Sequence, residues 1–389
     1  MKTIVKKVRI AIIVSMVLIL SANQLFADNE TISIGKRVTI HSKILNENRV
    51  LLISLPSGYN NSEIKYPVLY LLDGGTHFMH ASAAVDYLAG YRFTPEIIVV
   101  AIVNIDRNRD FTPIKTERFK TDGGAAKFHN FITEEVMPYM EKNYLSSDYN
   151  ILMGHSLGGT FIGYSLLEHP ETFDSYIAVS PFLQFADGYI VDEAKSKLKK
   201  KYNQPKSFYM SIGNEPDYYP TLDKFSELIQ KKSGKSIDFM YVNMKDDNHS
   251  TTPYPTLFNG LRFIFSDWVV PQEVYNQGLV VIDEHFKKLS KKYSYEITVS
   301  ENTINLMGYN YLRNKEIEKA IDIFIENTKR FPNSANVYDS LGEAYENNDQ
   351  LDLALINYKK AVKLGNEQQL GTLSTFEANL QRVKDLLNK

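Results

Sequence analysis

The sequence predicts an α/β protein with a mostly parallel sheet, helices on both faces of that sheet, and a small all-α region after it. Apolar runs alternate with amphipathic stretches from about residue 50 to residue 270. A glycine-flanked serine stands directly after one of these runs, at residues 154–158. A 34-residue repeat begins near Glu301. Alternating strands and helices favour a parallel sheet, and a repeat of this length is typical of stacked helix pairs.

The first 27 residues have the pattern of an export signal. Four positive charges and no acid accompany an apolar run, Ile10–Leu20, and Ala27 offers a small residue for cleavage. The run is shorter than the roughly 20 residues that span a bilayer. We therefore expect cleavage after Ala27 and an exported bacterial protein, periplasmic or secreted. An uncleaved membrane anchor is the alternative.

Composition narrows the function classes. The 389-residue chain carries a net charge of −2 and contains no cysteine. A mildly acidic body without a basic footprint argues against nucleic acid as a partner. The lack of cysteine excludes disulfides, a lipidated cysteine and a cysteine nucleophile. An exported protein of this kind depends on core packing for its stability.

Seven apolar runs are predicted as strands, because they are continuous and rich in branched or aromatic residues, as in strands covered on both faces. They are Val50–Leu55, Val68–Leu72, Ile97–Val103, Tyr149–Met153, Tyr176–Val179, Phe208–Ile212 and Phe239–Val242. One helix is predicted from a single apolar stripe at helical spacing. Its members are Phe128, Phe131, Ile132, Val136 and Met140.

The glycine-flanked serine has the pattern of a nucleophile elbow. Gly154-x-Ser156-x-Gly158 lies between a predicted strand and a helix-forming stretch, 160–167. At such an elbow the backbone turns sharply and presents the serine hydroxyl. Side chains at the two glycines would collide with the neighbouring strand or helix. The alternative is an ordinary glycine-rich turn.

A serine nucleophile needs a base and an acid further along the chain. His249 lies on a polar loop directly after the last predicted strand and is the candidate base, whereas His285 lies beyond the apparent end of the domain. Glu215 is the first candidate for the acid because it is closer to the end of its strand, and Asp217 is the alternative.

An oxyanion hole requires preorganised N–H donors. One candidate is the backbone N–H of Leu157, at the start of the helix that follows the serine. The second is expected on the loop after an earlier strand, where Asp73-Gly74-Gly75 ends an apolar run. Gly75 or Thr76 would carry that donor, and the sequence does not choose between them. A simple glycine turn is the alternative.

Three motifs resemble the putative-esterase family of α/β-hydrolases. They are Lys65-Tyr66-Pro67-Val68-Leu69-Tyr70-Leu71-Leu72-Asp73-Gly74, Asn104-Ile105-Asp106-Arg107-Asn108-Arg109-Asp110-Phe111-Thr112-Pro113 and Gly154-His155-Ser156-Leu157-Gly158-Gly159. The family includes siderophore, feruloyl and acetyl-xylan esterases, S-formylglutathione hydrolases and mycolyltransferases. The resemblance covers roughly residues 35–270. It implies an α/β-hydrolase fold, Ser156 as nucleophile, His249 as base and a carboxylate within 213–217.

Arg107 and Arg109 could contact an anionic substrate. An arginine and aspartate cluster more often ties a loop to its neighbour, and that interpretation is favoured here. No metal-ligand spacing and no phosphate-binding loop occurs in the sequence. The sequence therefore implies no cofactor and no metal.

The C-terminal region resembles tetratricopeptide helix pairs. Met307-Gly308-x-x-Tyr311 recurs 34 residues later as Leu341-Gly342-x-x-Tyr345. The predicted organisation is a signal peptide at 1–27, an esterase domain at 28–270, a helical linker at 271–300, and repeats with a capping helix at 301–389. The repeats could bind a protein partner or only support the first domain.

These inferences predict an exported serine carboxylesterase that works through an acyl-serine intermediate. Expected substrates are a siderophore-type lactone or a polysaccharide-linked acyl ester. An acyltransferase using the same acyl-enzyme is one alternative. A scaffold that binds through its repeats and carries an inactive hydrolase fold is another.

Overall fold

The computed structural model describes residues 32–59 and 64–388. The predicted export signal lies outside these residues. Eight strands form one sheet, which confirms the predicted fold class. Their bounds are β1 Lys36–Ser42, β2 Glu47–Ser54, β3 Tyr66–Leu71, β4 Ile98–Ile102, β5 Ser146–His155, β6 Ser175–Val179, β7 Lys206–Ile212 and β8 Ile237–Asn243.

The strand order is β1-β2-β4-β3-β5-β6-β7-β8. Strands β3 to β8 are parallel to one another, and β2 is antiparallel to its neighbour β4. The carboxyl ends of the parallel strands therefore share one edge, where ligands bind in such sheets. Strand β1 was not predicted, because its sequence, KRVTIHS, is largely polar and mostly exposed, as edge strands often are.

Helices flank the sheet and continue to the C-terminal end of the described residues. Their bounds are α1 Gly74–Gly90, α2 Arg107–Phe111, α3 Ala125–Phe131, α4 Met137–Asn143, α5 Leu157–Glu168, α6 Tyr189–Lys197, α7 Tyr219–Ser233, α8 Pro253–Ile264, α9 Gln272–Tyr275, α10 Leu279–Tyr293, α11 Glu301–Arg313, α12 Ile317–Arg330, α13 Ala335–Asn347, α14 Leu351–Glu367 and α15 Leu373–Leu387. A π-helical turn, Ile132–Val136, joins α3 to α4. All five residues of the predicted apolar stripe are buried.

The sheet has a hydrophobic core on each face, because successive side chains of a strand point to opposite sides. Val68 and Tyr70 contribute to one core, and Leu69 and Leu71 contribute to the other. Helices α3 to α7 supply the first core. Helices α1 and α8 supply the second. Burial on both faces explains why the strands read as continuous apolar runs.

The second core extends into the C-terminal helices. Phe286 and Leu289 of α10 and Ile304 and Met307 of α11 belong to the same buried cluster as the strand residue Met153. The segment predicted as a linker thus contains a helix with a buried apolar face. The predicted domain boundaries themselves stay a prediction.

A packing contact recurs at the 34-residue spacing. A Cβ atom on Gly308 would lie 2.4 Å from Cε1 of Phe324, and one on Gly342 would lie 2.8 Å from Cδ1 of Tyr358. Each glycine therefore lets the next helix lay an aromatic ring directly on its backbone. This region is all helical, in keeping with helical repeats, and the tetratricopeptide assignment remains a prediction. Across residues 32–59 and 64–388, no helix combines the length and apolar character needed to cross a membrane.

Candidate active site

Ser156 stands at the sharp turn between β5 and α5. Its backbone has φ 58° and ψ −114°, a conformation that is strained for a residue with a β-carbon. The N–H of Ser156 donates to the carbonyl oxygen of Val179 at 2.9 Å, and its own carbonyl accepts from the N–H of Phe182 at 2.9 Å. Hydrogen bonds from the neighbouring strand and its loop thus hold the strained turn in place.

Two glycines make the turn sterically possible. A Cβ atom on Gly154 would lie 2.5 Å from the carbonyl oxygen of Gly158, and one on Gly159 would lie 2.4 Å from Cβ of Pro181. A Cβ on Gly158 would meet its nearest atom, Oδ2 of Asp73, at 3.4 Å, an ordinary contact. On the helix side, the steric need for glycine therefore falls on Gly159 rather than on Gly158.

The structure pairs His249 with Glu215. Nδ1 of His249 donates to Oε2 of Glu215 at 2.5 Å, while Nε2 makes no hydrogen bond to any described residue. The ring centroid of His249 lies 4.5 Å from that of His155, the residue before Ser156. The imidazole is therefore at the elbow, with one nitrogen oriented by a carboxylate and the other available.

Close contact between two loops delivers this pair. The N–H of Asn214 donates to the carbonyl of Asp247 at 2.7 Å. A Cβ on Gly213 would lie 2.9 Å from that same carbonyl oxygen. Glycine is therefore needed at the exact position where the loop after β7 meets the loop after β8. This contact explains why the carboxylate near the strand end reaches the histidine.

The other carboxylate of the loop has a different position. Asp217 is exposed, and its backbone carbonyl accepts from Nε2 of Gln184 at 3.0 Å. Of the two carboxylates predicted as candidates for the acid, the structure brings only Glu215 to His249. His285 lies in α10, with its ring against Phe286.

The second carboxylate oxygen of Glu215 is also bound. Ser180 Oγ donates to Oε1 at 2.7 Å, and the N–H of Gly213 donates to the same oxygen at 3.3 Å. Ser180 is fully buried and has a positive φ of 37°. Because Oε1 is held on one side, Oε2 is presented to the imidazole in a fixed orientation. The sequence analysis missed Ser180, which directly follows β6.

Two backbone N–H groups are free to bind an oxyanion. Neither Leu157 N–H nor Gly75 N–H donates to any acceptor among the described residues. The N–H of Thr76 is instead used in a turn, donating to the carbonyl of Asp73 at 2.9 Å. A Cβ on Gly75 would meet only the Val103 side chain, at 3.9 Å. The predicted loop is in fact the first turn of α1, and of its two predicted donors Gly75 is the available one.

Arg107 ties the N-terminus of α1 to the elbow. Its Nε donates to Oδ1 of Asp73 at 2.7 Å, and one terminal nitrogen donates to the carbonyl of His155 at 2.8 Å. Asn104 also donates to Asp73. The guanidinium thus crosslinks the two segments that carry the candidate oxyanion donors. From the sequence, only the arginine and aspartate cluster at Asp106–Asp110 was recognised, and the partners of Arg107 in this crosslink were not.

Arg109 is used in a second ion-pair cluster. It pairs with Glu47 at 2.6 Å and with Asp110 at 2.7 Å. Asp110 also pairs with Arg49, at 2.7 Å, and both of those side chains are buried. Strong hydrogen bonds from the two arginines lower the pKa of Glu47. The cluster joins β2 to α2, so the structure places both predicted substrate-binding arginines in ion pairs within the protein.

His77 and His80 lie beside His155, on the carboxyl-end side of the sheet. The ring of His77 lies 5.6 Å from that of His155 and 5.1 Å from that of His80. Nδ1 of His77 and Nε2 of His155 are buried without hydrogen-bond partners among the described residues. Burial lowers the pKa of His77 and of His155 to about 4. Both rings are therefore neutral at neutral pH and add no charge beside His249. Among the described residues, no three histidine or acidic side chains are grouped so that they could hold a metal ion.

These features define a hydrolase site: a serine on a strained elbow, a carboxylate-oriented histidine and two free N–H donors. A family model described as "Putative esterase" matches residues 42–252, more than half of the chain. The chain therefore belongs to this family. The predicted class of enzyme, a serine hydrolase acting on carboxylic ester bonds, is confirmed.

Individual proteins support the assignment. Ferri-bacillibactin esterase BesA of Bacillus subtilis is 32% identical over 248 residues, which are 56% of this chain and 86% of that protein. An IroE-like serine hydrolase from Shewanella oneidensis has a structure with a TM-score of 0.67 and 25% identity, covering 76% of this chain and 99% of the other. An uncharacterised protein from Capnocytophaga ochracea has a TM-score of 0.62 at 18% identity, over 88% of this chain and 99% of the other. The last likeness concerns the fold alone.

Proposed function

We propose that this esterase hydrolyses its substrate through an acyl-serine intermediate on Ser156. His249 Nε2 takes the proton of the serine hydroxyl as Oγ attacks the ester carbonyl, and returns it to the departing alcohol. Glu215 holds the imidazole and stabilises its protonated form. Water then attacks the acyl-enzyme with His249 again acting as base, which releases the acid and restores the serine.

One observation carries this proposal. The Nδ1–H of His249 is bound to Glu215, so the remaining nitrogen is the basic one, at the elbow that presents Ser156. A histidine in the opposite tautomer would offer the serine a proton instead of a lone pair.

The free N–H groups support the same mechanism. Leu157 N–H and Gly75 N–H would stabilise the oxyanion of the tetrahedral intermediate. Loss of one such donor typically costs about 10²- to 10³-fold in kcat. The crosslink of Arg107 to Asp73 and to His155 fixes the spacing between the two segments.

For the substrate, we propose a siderophore-type lactone. The support is the similarity to a ferri-bacillibactin esterase over 86% of that protein's length. A polysaccharide-linked acyl ester, also predicted from the sequence, is tested by the ester panel described next.

We further propose that the protein is exported and that its C-terminal repeats bind a protein partner. Cell fractionation tests the first of these, and affinity capture with a repeat-surface variant as control tests the second.

A panel of esters tests the function. The panel contains a catecholate trilactone with and without iron, a feruloyl ester, an acetylated xylan and a short p-nitrophenyl ester.

A variant of the proposed nucleophile tests the mechanism. We expect Ser156→Ala to lower kcat by on the order of 10⁶, and a fluorophosphonate probe to label the wild type but not this variant. Ser57→Ala, in an exposed turn, is the matched control and should keep full activity. Near wild-type turnover by Ser156→Ala would contradict the mechanism, and turnover of only the xylan or feruloyl ester would contradict the lactone. Product analysis with added alcohols distinguishes hydrolysis from acyl transfer.

A further inference from the structure

A cationic and aromatic surface adjoins the candidate active site. This surface, the Arg118 rim, consists of Arg118, Phe119, Phe182 and Tyr218. The guanidinium carbon of Arg118 lies 4.8 Å from the ring centroid of Phe182 and 5.5 Å from that of Phe119. Two aromatic rings thus orient one exposed cation through cation–π contacts.

The rim is connected to both proposed catalytic side chains. The backbone N–H of Phe182 donates to the carbonyl of Ser156 at 2.9 Å. The ring of Phe182 lies 5.8 Å from that of Tyr218, which in turn lies 5.9 Å from the imidazole of His249. The rim is therefore close enough to the elbow and His249 for one ester molecule to contact both.

The side-chain donors of the rim have no acceptor among residues 32–59 and 64–388. Arg118 forms no ion pair with a described residue, and neither its guanidinium nor the hydroxyl of Tyr218 makes a hydrogen bond there. This contrasts with Arg107 and Arg109, which are both held by carboxylates. Burial raises the pKa of the Tyr218 hydroxyl, so this group remains a neutral O–H donor at working pH.

We infer that the Arg118 rim is a specificity subsite for a planar, negatively charged group carried by the ester. A guanidinium presents a flat pair of N–H donors that matches a carboxylate or a pair of phenolic oxygens. The rings of Phe182 and Tyr218 provide an apolar surface on which a flat aromatic group can pack. The inference rests on the proposed esterase function and defines which esters that site prefers.

Matched aromatic esters test the subsite. One pair consists of 4-nitrophenyl esters of 4-carboxybenzoate and its neutral 4-carbamoyl analogue. In the second pair, the carboxylate or the carbamoyl group is instead on the phenol that leaves from a benzoate ester. For at least one pair we expect the wild type to favour the charged ester by about tenfold or more in kcat/KM, since hydrogen bonds to charged groups contribute at about this level. Arg118→Gln should abolish that preference and leave kcat/KM for the neutral ester within about twofold.

Two controls separate the subsite from general electrostatics. Lys120→Gln removes an exposed charge from the same loop and should preserve the preference. Phe182→Leu keeps the cation but removes one ring, and should weaken the preference mainly through KM. An equal preference in Arg118→Gln and wild type, or none in the wild type, would overturn the inference. Failure to hydrolyse any of the four esters, neutral ones included, would instead count against the proposed esterase mechanism.

Discussion

At the scale of single residues, the site depends on backbone conformations that L-amino acids rarely adopt. Ser156, Ser180 and Asp73 all have positive φ angles, at 58°, 37° and 54°. Each lies one or two residues beyond the carboxyl end of a strand of the sheet. Such conformations persist only where surrounding contacts over-determine them. Here the surrounding contacts are hydrogen bonds to neighbouring strands, to the segment after β6 and to the Arg107 side chain. The strained positions and the site therefore share the same few residues.

Ser180 provides a test of this arrangement. We expect Ser180→Ala to lower kcat by about tenfold with little change in KM, because Oε1 of Glu215 loses the donor that fixes it. Steady-state kinetics on a p-nitrophenyl ester would measure the effect.

Ser180→Gly is the matched variant. It removes the same hydroxyl but tolerates the positive φ, so it separates loss of the hydrogen bond from backbone strain. Equal losses of kcat in the two variants assign the effect to the hydroxyl. Full activity in Ser180→Gly would show that Ser180 does not position Glu215.

At the scale of secondary-structure elements, several glycines are required because a neighbouring element packs directly against their backbone. Gly154 and Gly159 allow α5 to pack against β5 and the loop after β6. Gly342 allows α14 to lay the ring of Tyr358 on α13. Tyr358 also donates from its hydroxyl to Glu346 at 2.8 Å, which fixes the ring over the glycine.

A methyl group at this contact should therefore destabilise the helical region. We expect Gly342→Ala to lower the free energy of unfolding by about 1–3 kcal/mol, the usual range for overpacking. Gly371→Ala is the control, since no atom lies within 4 Å of its added Cβ. Urea unfolding followed by circular dichroism compares the two. Equal midpoints would contradict the packing role of Gly342.

Features that depend on local sequence patterns could be predicted, whereas features that depend on contacts between distant segments could not. The central strands were predictable, because burial on both faces leaves continuous apolar runs, and the elbow was predictable from Gly154 and Ser156. The choice of Glu215 over Asp217 depends on the backbone approach at Gly213 to a loop more than thirty residues away. No local pattern reports such a contact. The same holds for Ser180 and for the Arg107 crosslink.

At the scale of the whole molecule, buried neutral histidines link stability to pH. His77 and His129 are almost fully buried, and burial lowers the pKa of each to about 4 from an ordinary 6.5. The unfolded chain then binds more protons than the folded one between these two values. Stability from these groups is complete above about pH 6.5 and is lost as the pH falls toward 4.

We therefore expect the free energy of unfolding to decrease between pH 7 and pH 4, by up to about 3 kcal/mol for each of the two histidines. Urea titrations at several pH values would measure this. His129→Gln should have a shallower pH dependence than the wild type, because it cannot take up the proton. Parallel pH curves for the two proteins would contradict the assignment.

The second core has a practical consequence for handling the protein. Helices α10 and α11 complete the apolar layer over one face of the sheet, with Phe286 and Ile304 buried against it. A chain truncated at residue 270 would expose this layer to solvent. Low soluble yield of such a fragment would then reflect aggregation through the uncovered face, and its loss of turnover would reveal nothing about chemistry in the repeats.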